Sequence, residues 1–288
     1  MKYTKKLLSL SIIILTILGF IYYFISHPSS LSAIKNLSII NISFILFLYL
    51  LALMSLILIL KFSVELCGIK IKRIENIQLT IWSNIANFFG PLQSGPGIRG
   101  LYLKKKYSLS LKKFLYVSLL YYGFIALISF IFIGLGSFAW YYGLLLILLS
   151  LTVIYFGFNF LTKRIKPQDR PKLALSIVIK LFVMTLIQLL ITSIIYFVEL
   201  KIVNKSIGFN QALVYCGVAN LALFVSITPG AIGFRESFLL FSQKLHHISS
   251  SNVISASLID RSVYIVFLLI LIAVASFMHI GKKLKNIS

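Results

Sequence analysis

The sequence predicts an all-α integral membrane protein, with six transmembrane helices plus two re-entrant broken-helix segments in an inverted 3+3 repeat. Three observations predict it: an apolar excess, a biased placement of basic residues, and a match of the chain to itself. Of 288 residues, 59% are hydrophobic and 12% charged, whereas soluble domains are nearer ~50% and ~25%. The mean hydropathy is +1.00. The formal charge of +22 comes from 28 basic and 6 acidic residues. Such an excess in a soluble chain would suggest nucleic acid. Here the basic residues flank apolar runs, which is the positive-inside pattern and not a nucleic-acid footprint. A cationic face of this kind attracts anionic lipid headgroups. Polar interruptions are too short for a soluble domain, so residues 1–288 read as a single membrane domain.

Taken in order, Lys2, Lys5 and Lys6 precede a first span, about Leu7 to Ile25. That run is longer than a signal-peptide core and no small-residue cleavage site follows. A second span, about Ile42 to Leu60, leads to Lys61, Lys70, Lys72 and Arg73. The next apolar piece, Ile77 to Phe89, is too short to cross, and it meets a break from Gly90 to Gly100. Basic clusters on both sides of it predict a hairpin that enters and leaves by one face, which lipid permits only where protein covers the break.

The third span covers about Phe114 to Gly134, and Trp140, Tyr141 and Tyr142 form an interfacial belt. The fourth covers Gly143 to Leu161 and returns to a basic loop. The fifth covers about Ile177 to Val198. A second short piece, Ala212 to Val225, runs into Pro229, Gly230 and Gly233, and the last span is about Val253 to Met278. On this topology 21 of the 28 basic residues fall on the cytoplasmic side and both termini are cytoplasmic.

Shifting the chain by 136 residues superposes the halves, about 1–135 on about 137–288. Asn84 meets Asn220, Ala86 meets Ala222, Phe88 meets Phe224, Gly97 meets Gly233 and Arg99 meets Arg235. Each half has an odd number of spans, so the halves lie inverted, as in transporters whose sites lie between broken helices.

Candidate site residues follow from this match. Arg99 and Arg235 each leave a broken segment, where a guanidinium fork and free helix N–H groups suit phosphate oxygens. Snorkelling interfacial anchors are the alternative. Glu236 and Asp260 each adjoin an arginine, Arg235 or Arg261, and neighbours on a helix diverge, so each acid is expected to pair with the other arginine. That arrangement is either a structural ion pair or a substrate or proton site. Gly97, Gly230 and Gly233 shape the breaks, and Asn84 and Asn220 cap them or bond across helices. His246-His247 reads as a solvated outer-loop pair. Cys67 and Cys216 read as small apolar residues. No catalytic residue, metal set or cofactor motif emerges.

The run Pro229-Gly230-Ala231-Ile232-Gly233-Phe234-Arg235-Glu236 resembles the "PGGxGxRE" motif of the lysylphosphatidylglycerol synthase transmembrane family, also called flippase-like. This family includes the membrane halves of the multiple peptide resistance factors. Gly95 to Arg99, followed by Leu101-Tyr102-Leu103, is similar to its first-half "GExxR" motif, with Pro96 where glutamate is usual. Asp260-Arg261 falls where the family places a late arginine, and Ala231 replaces a motif glycine. The resemblance implies a multi-pass protein of a bacterial-type inner membrane that moves an anionic phospholipid or lipid-linked precursor between leaflets. Aminoacyl transfer belongs to a separate soluble domain in fused members and is not implied here. Two other readings are a non-transporting scaffold for lipid- or envelope-synthesis enzymes and an intramembrane lipid-modifying enzyme. Oligomeric state is left open.

Overall fold

A computed structural model describes residues 37–90, 93–137, 173–225 and 228–285, with a few isolated positions besides. Four helices in it are long and apolar enough to cross a membrane. They are α1 (Ile39–Leu66), α4 (Leu111–Gly136), α5 (Leu175–Val203) and α9 (Ser250–Lys285). They match the second, third, fifth and last expected spans. The first and fourth expected spans fall outside the described residues. The 28 residues of α1 extend about 42 Å at 1.5 Å per residue, beyond the ~30 Å hydrocarbon core. Its start is fixed by Ser38, whose hydroxyl accepts from the Asn41 N–H at 3.2 Å.

Two shorter helices, α2 (Arg73–Phe89) and α6 (Phe209–Val225), have 17 residues each. At about 26 Å each falls short of that core. Their boundaries repeat the self-match: Arg73 and Phe209 open them, Phe89 and Val225 close them, and both pairs are 136 positions apart. After α2 the chain turns and returns as α3 (Ser94–Tyr107). The contacts progress in opposite senses along the two helices. Gly95 N–H donates to Asn87 at 2.7 Å, Arg99 reaches Ser83, and Tyr102 and Tyr107 reach Glu75. α2 and α3 are therefore an antiparallel hairpin. After α6 come a 3₁₀ turn (Pro229–Ala231), α7 (Phe234–Phe241) and the one-turn α8 (Gln243–His246). Gln211 near the start of α6 donates to the His246 carbonyl at 2.9 Å, so this segment also doubles back.

The core lies between these pieces. Ile125, Ile128 and Phe132 of α4 pack on Val214, Tyr215 and Val218 of α6, while Ile45 and Leu48 of α1 pack with Ile259, Val263 and Phe267 of α9. The α4–α6 contact is backbone-close, as small residues allow in membranes. A Cβ on Gly136 would sit 2.3 Å from the Asn210 carbonyl, and one on Gly217 would sit 2.6 Å from that of Ser129. Phe44, Phe47, Leu50 and Met54 of α1 are exposed, an apolar face that suits lipid tails. His246 departs from the solvated pair expected of it: it is 1% exposed. Its Nε2 is 2.9 Å from the Leu239 carbonyl, and its Nδ1 accepts from the Ile248 N–H at 3.1 Å. The ring thus closes the α7–α8 turn, a role its apolar flanks did not advertise.

The open end of the first hairpin is fastened by one carboxylate. Glu75 accepts from Tyr102 at 2.5 Å and from Tyr107 at 2.9 Å, and pairs with Lys106 at 2.9 Å. Burial works against its charge, but hydrogen bonds from Tyr102, Lys106 and Tyr107 outweigh it and hold Glu75 below its ordinary value. A depressed carboxyl stabilises the fold above its unfolded pKa of ~4.3, and that stability fades as pH falls through the lower folded value. Glu75→Gln is expected to lower the melting temperature of the detergent-purified chain at neutral pH. The gap from wild type should narrow under acid; a gap independent of pH would contradict this.

Candidate functional site

The two hairpin tips meet. Gln93, in the left-handed region at φ 47°, precedes α3, and its side chain donates to the Leu223 carbonyl of α6 at 2.5 Å. Gly230 of the second tip has φ +59°, and a Cβ there would lie 3.3 Å from the Phe88 carbonyl and 3.2 Å from Arg261 Nη1. Only glycine takes that angle freely and leaves that room. Ala231 beside it also has positive φ, 57°, so the motif position where the family carries glycine is strained here. Gly233 (φ +81°) opens α7, whereas Gly97 lies inside α3 with open space around it. The first hairpin therefore turns before its matched glycine, and the two breaks differ in shape.

Between the tips and the spans is a cavity of about 280 Å³. Of the residues singled out from sequence, Arg99, Arg235, Arg261, Asp260, Gly230, Asn84 and Asn220 line it; Glu236, Gly97 and Gly233 are not on its wall. Asn84 and Asn220 neither cap the breaks nor cross to another helix through their amide nitrogens. Asn84 donates to the Thr80 carbonyl at 3.0 Å and Asn220 to that of Cys216 at 2.8 Å. The same one-turn bond in both halves leaves each amide at the cavity wall.

Four charges fasten the second tip. The close pairs are crossed between helices: Arg235 meets Asp260 at 2.6 Å and Arg261 meets Glu236 at 3.0 Å, while Arg235 Nε also lies 3.7 Å from its neighbour Glu236. Arg235 also donates to Ser257 at 3.1 Å and Tyr196 at 3.3 Å. Glu236 accepts from the Gly233 N–H at 2.8 Å and from Ser257 at 2.6 Å, while Arg261 holds the Gly230 carbonyl. Tyr49 donates to Asp260 at 2.6 Å, tying α1 into the network. All four charged residues are under 9% exposed. Burying them costs several kcal/mol per ion, which such close pairing and hydrogen bonding offsets.

Arg99 is different. It is 8% exposed, and its Nε donates to Ser83 at 2.7 Å. Among the described residues, no carboxylate pairs with it. The reason is in the sequence: 136 positions before Glu236 and Asp260 stand Gly100 and Phe124. The halves share the arginine but not its neutralising acids. Tyr121 and Tyr122 lie within its field on α4 and share the cavity wall.

Sequence reasoning missed Glu199, which is 1% exposed on α5. It is one of only six acids and stands inside an apolar run, which marked it as costly and therefore purposeful. Tyr49, Tyr196 and Ser257 carried no such mark, because hydroxyls in spans are common.

Replacing one member of a crossed pair strands the other. Asp260→Asn is expected to cost ~3–5 kcal/mol, and the paired change Arg235→Met with Asp260→Leu to recover much of it; thermal unfolding in detergent reads both, and a double variant no better than the single would refute the assignment. Gly230→Ala is expected to cost ~1–2 kcal/mol, while Ala231→Gly costs nothing. Equal melting temperatures for these two variants would remove the strain argument.

No curated protein matches the chain. The family model described as "Lysylphosphatidylglycerol synthase TM region" matches residues 6–272. With that match spanning most of its length, and with four helices long and apolar enough to cross a membrane, the chain belongs to the lysylphosphatidylglycerol synthase transmembrane family.

Proposed function

We propose that this protein moves an anionic, phosphate-bearing lipid headgroup between membrane leaflets. One observation carries the reading: Arg99 is buried on a cavity wall with no acid to neutralise it among the described residues, while the other two site arginines are matched by Glu236 and Asp260. An unpaired guanidinium in an apolar surrounding is costly unless an anion completes it. Its fork suits phosphate oxygens. A volume of about 280 Å³ is at the low end of small-molecule sites, ~300–1,000 Å³. It holds a headgroup and leaves acyl chains in the bilayer.

The expected topology supports movement. Both hairpins are too short to cross and each doubles back, consistent with re-entry from opposite faces in an inverted 3+3 repeat. Their tips meet beside the cavity, where Gln93 donates to the Leu223 carbonyl and Gly230 lies against Phe88. In this reading the headgroup passes as one hairpin parts from the other, with the crossed ion pairs keeping the second tip intact. No catalytic residue is assigned, and the partners are anionic lipids of a bacterial-type cytoplasmic membrane, with both termini on its cytoplasmic side.

The test is leaflet exchange of a fluorescent anionic phospholipid in liposomes holding the full chain. A charge-assisted hydrogen bond is worth ~1.5–3 kcal/mol, so Arg99→Gln is expected to slow exchange about tenfold or more. Arg99→Lys should retain part of the rate. No acceleration by the wild-type protein, or equal rates with Arg99→Gln, would refute the reading.

A further inference from the structure

The cavity wall holds amide oxygens that lack a hydrogen-bond donor. Asn84, 7% exposed on α2, and Asn220, half-buried on α6, both line the cavity. Each turns its amide nitrogen to a backbone carbonyl one turn back, that of Thr80 at 3.0 Å and that of Cys216 at 2.8 Å. A carbonyl can only accept, so this contact fixes which end of each amide is nitrogen. Neither amide oxygen accepts a hydrogen bond among the described residues. The wall also has spare donors. Gln188 accepts from Tyr121 at 3.0 Å and Asn87 accepts from the Gly95 N–H at 2.7 Å, both through their amide oxygens. No described residue takes up either of their amide nitrogens, and both residues line the cavity.

These amides call for chemistry that a phosphate lacks. Ionised phosphate oxygens suit Arg99, but they cannot donate to Asn84 or Asn220. The missing donor is a hydroxyl or an ammonium, and the charges around the cavity separate the two. Three guanidinium groups line it, those of Arg99, Arg235 and Arg261, against two carboxylates, Asp260 on the wall and Glu236 behind it. Every oxygen of those carboxylates is taken: Asp260 by Arg235 and Tyr49, Glu236 by Arg261, Ser257 and the Gly233 N–H. Glu199 is off the wall, and no described cation pairs with it. With the phosphate charge spent on Arg99, an ammonium would enter a positive space with no free anion to meet it, at high cost. The faces of Tyr121 and Tyr122 attract cations, but they share the wall with Arg99. A hydroxyl is uncharged and both donates and accepts, so it serves an amide oxygen and an amide nitrogen together.

We propose that the headgroup taken by this cavity carries neutral hydroxyls beside its phosphate, of the glycerol or sugar type, and bears no amine. Arg99 meets the phosphate. Asn84 and Asn220 accept from the hydroxyls, and Gln188 and Asn87 donate to them. Asn84 and Asn220 stand 136 positions apart on corresponding helices of the two hairpins, so each hairpin offers the hydroxyls one acceptor. Such selectivity rests on the lipid reading of the cavity and narrows it to one class of headgroup.

The experiment is competitive lipid binding to the detergent-purified full chain, read by native mass spectrometry, with leaflet exchange in liposomes run on the same lipids. All probes share their acyl chains. Phosphatidylglycerol and phosphatidylinositol carry hydroxyls, phosphatidylmethanol is a phosphodiester of the same charge without them, and phosphatidylethanolamine and phosphatidylserine carry an amine. The better of the two hydroxyl-bearing lipids is expected to bind about threefold or more tighter than the other classes, the worth of one neutral hydrogen bond. Its identity tells glycerol from sugar chemistry. Asn84→Leu should lower that ratio toward one, and Asn220→Leu provides the second variant should the first fail to fold. Phosphatidylmethanol binding as tightly as both hydroxyl-bearing lipids, as when water alone completes the amides, overturns the proposal. An amine-bearing lipid binding as tightly, or a ratio that neither variant moves, does the same. Hydroxyl-selective binding without exchange of any lipid would count against the transport reading alone, and exchange without that selectivity against the headgroup class alone.

Discussion

The constraint on which the rest depends is the cost of charge inside an apolar slab. Four ionised side chains are fastened at the second break, and they are stable there because each arginine reaches the acid that adjoins the other. That crossing has a geometric consequence. Arg235 and Glu236 sit on α7, and Asp260 and Arg261 sit on α9, so the pairs bolt the turn after Gly230 to the last span. Arg261 completes the bolt by holding the Gly230 carbonyl, which the turn itself leaves without a helical partner. These contacts tie the turn to the last span along one wall of the cavity.

Among the described residues the first hairpin lacks such bolts. It is held by the carboxylate of Glu75 at its open end and by hydrogen bonds from Gly95 N–H to Asn87 and from Arg99 to Ser83 nearer its tip. Two structurally related pieces therefore carry different loads. The later one is self-neutralised and anchored. The earlier one presents an arginine, Arg99, that no described carboxylate pairs with. Near-identical helix boundaries with unequal charge complement are the central asymmetry of the molecule. In the proposed reading one half holds the frame while the other meets the headgroup.

Much of this was legible in the sequence, for identifiable reasons. Spans are readable because lipid demands long apolar helices with every backbone group paired, and α1, α4, α5 and α9 meet that demand. The breaks are readable because clustered proline and glycine end apolar runs that are too short to cross on their own. The crossed pairs follow from the divergence of neighbouring side chains. What could not be read is side-chain commitment. Nothing in the spacing says that the Asn84 and Asn220 amides turn back on their own helices, or that Gly97 lies within a helix while Gly233 begins one. The burial of His246 depends on which carbonyl the turn at Ser242 presents to it, a tertiary detail. Glu199 was legible as a lone acid in an apolar run, but its near-complete burial is a tertiary detail.

The central claim is that an anionic headgroup completes Arg99 between the two tips. An experimental structure of the full chain in nanodiscs containing anionic phospholipid tests it most directly. The account predicts headgroup phosphate density in hydrogen-bond contact with the Arg99 guanidinium inside the cavity. Lipid density confined to the outer apolar faces, with Arg99 bound to a protein carboxylate, would contradict it.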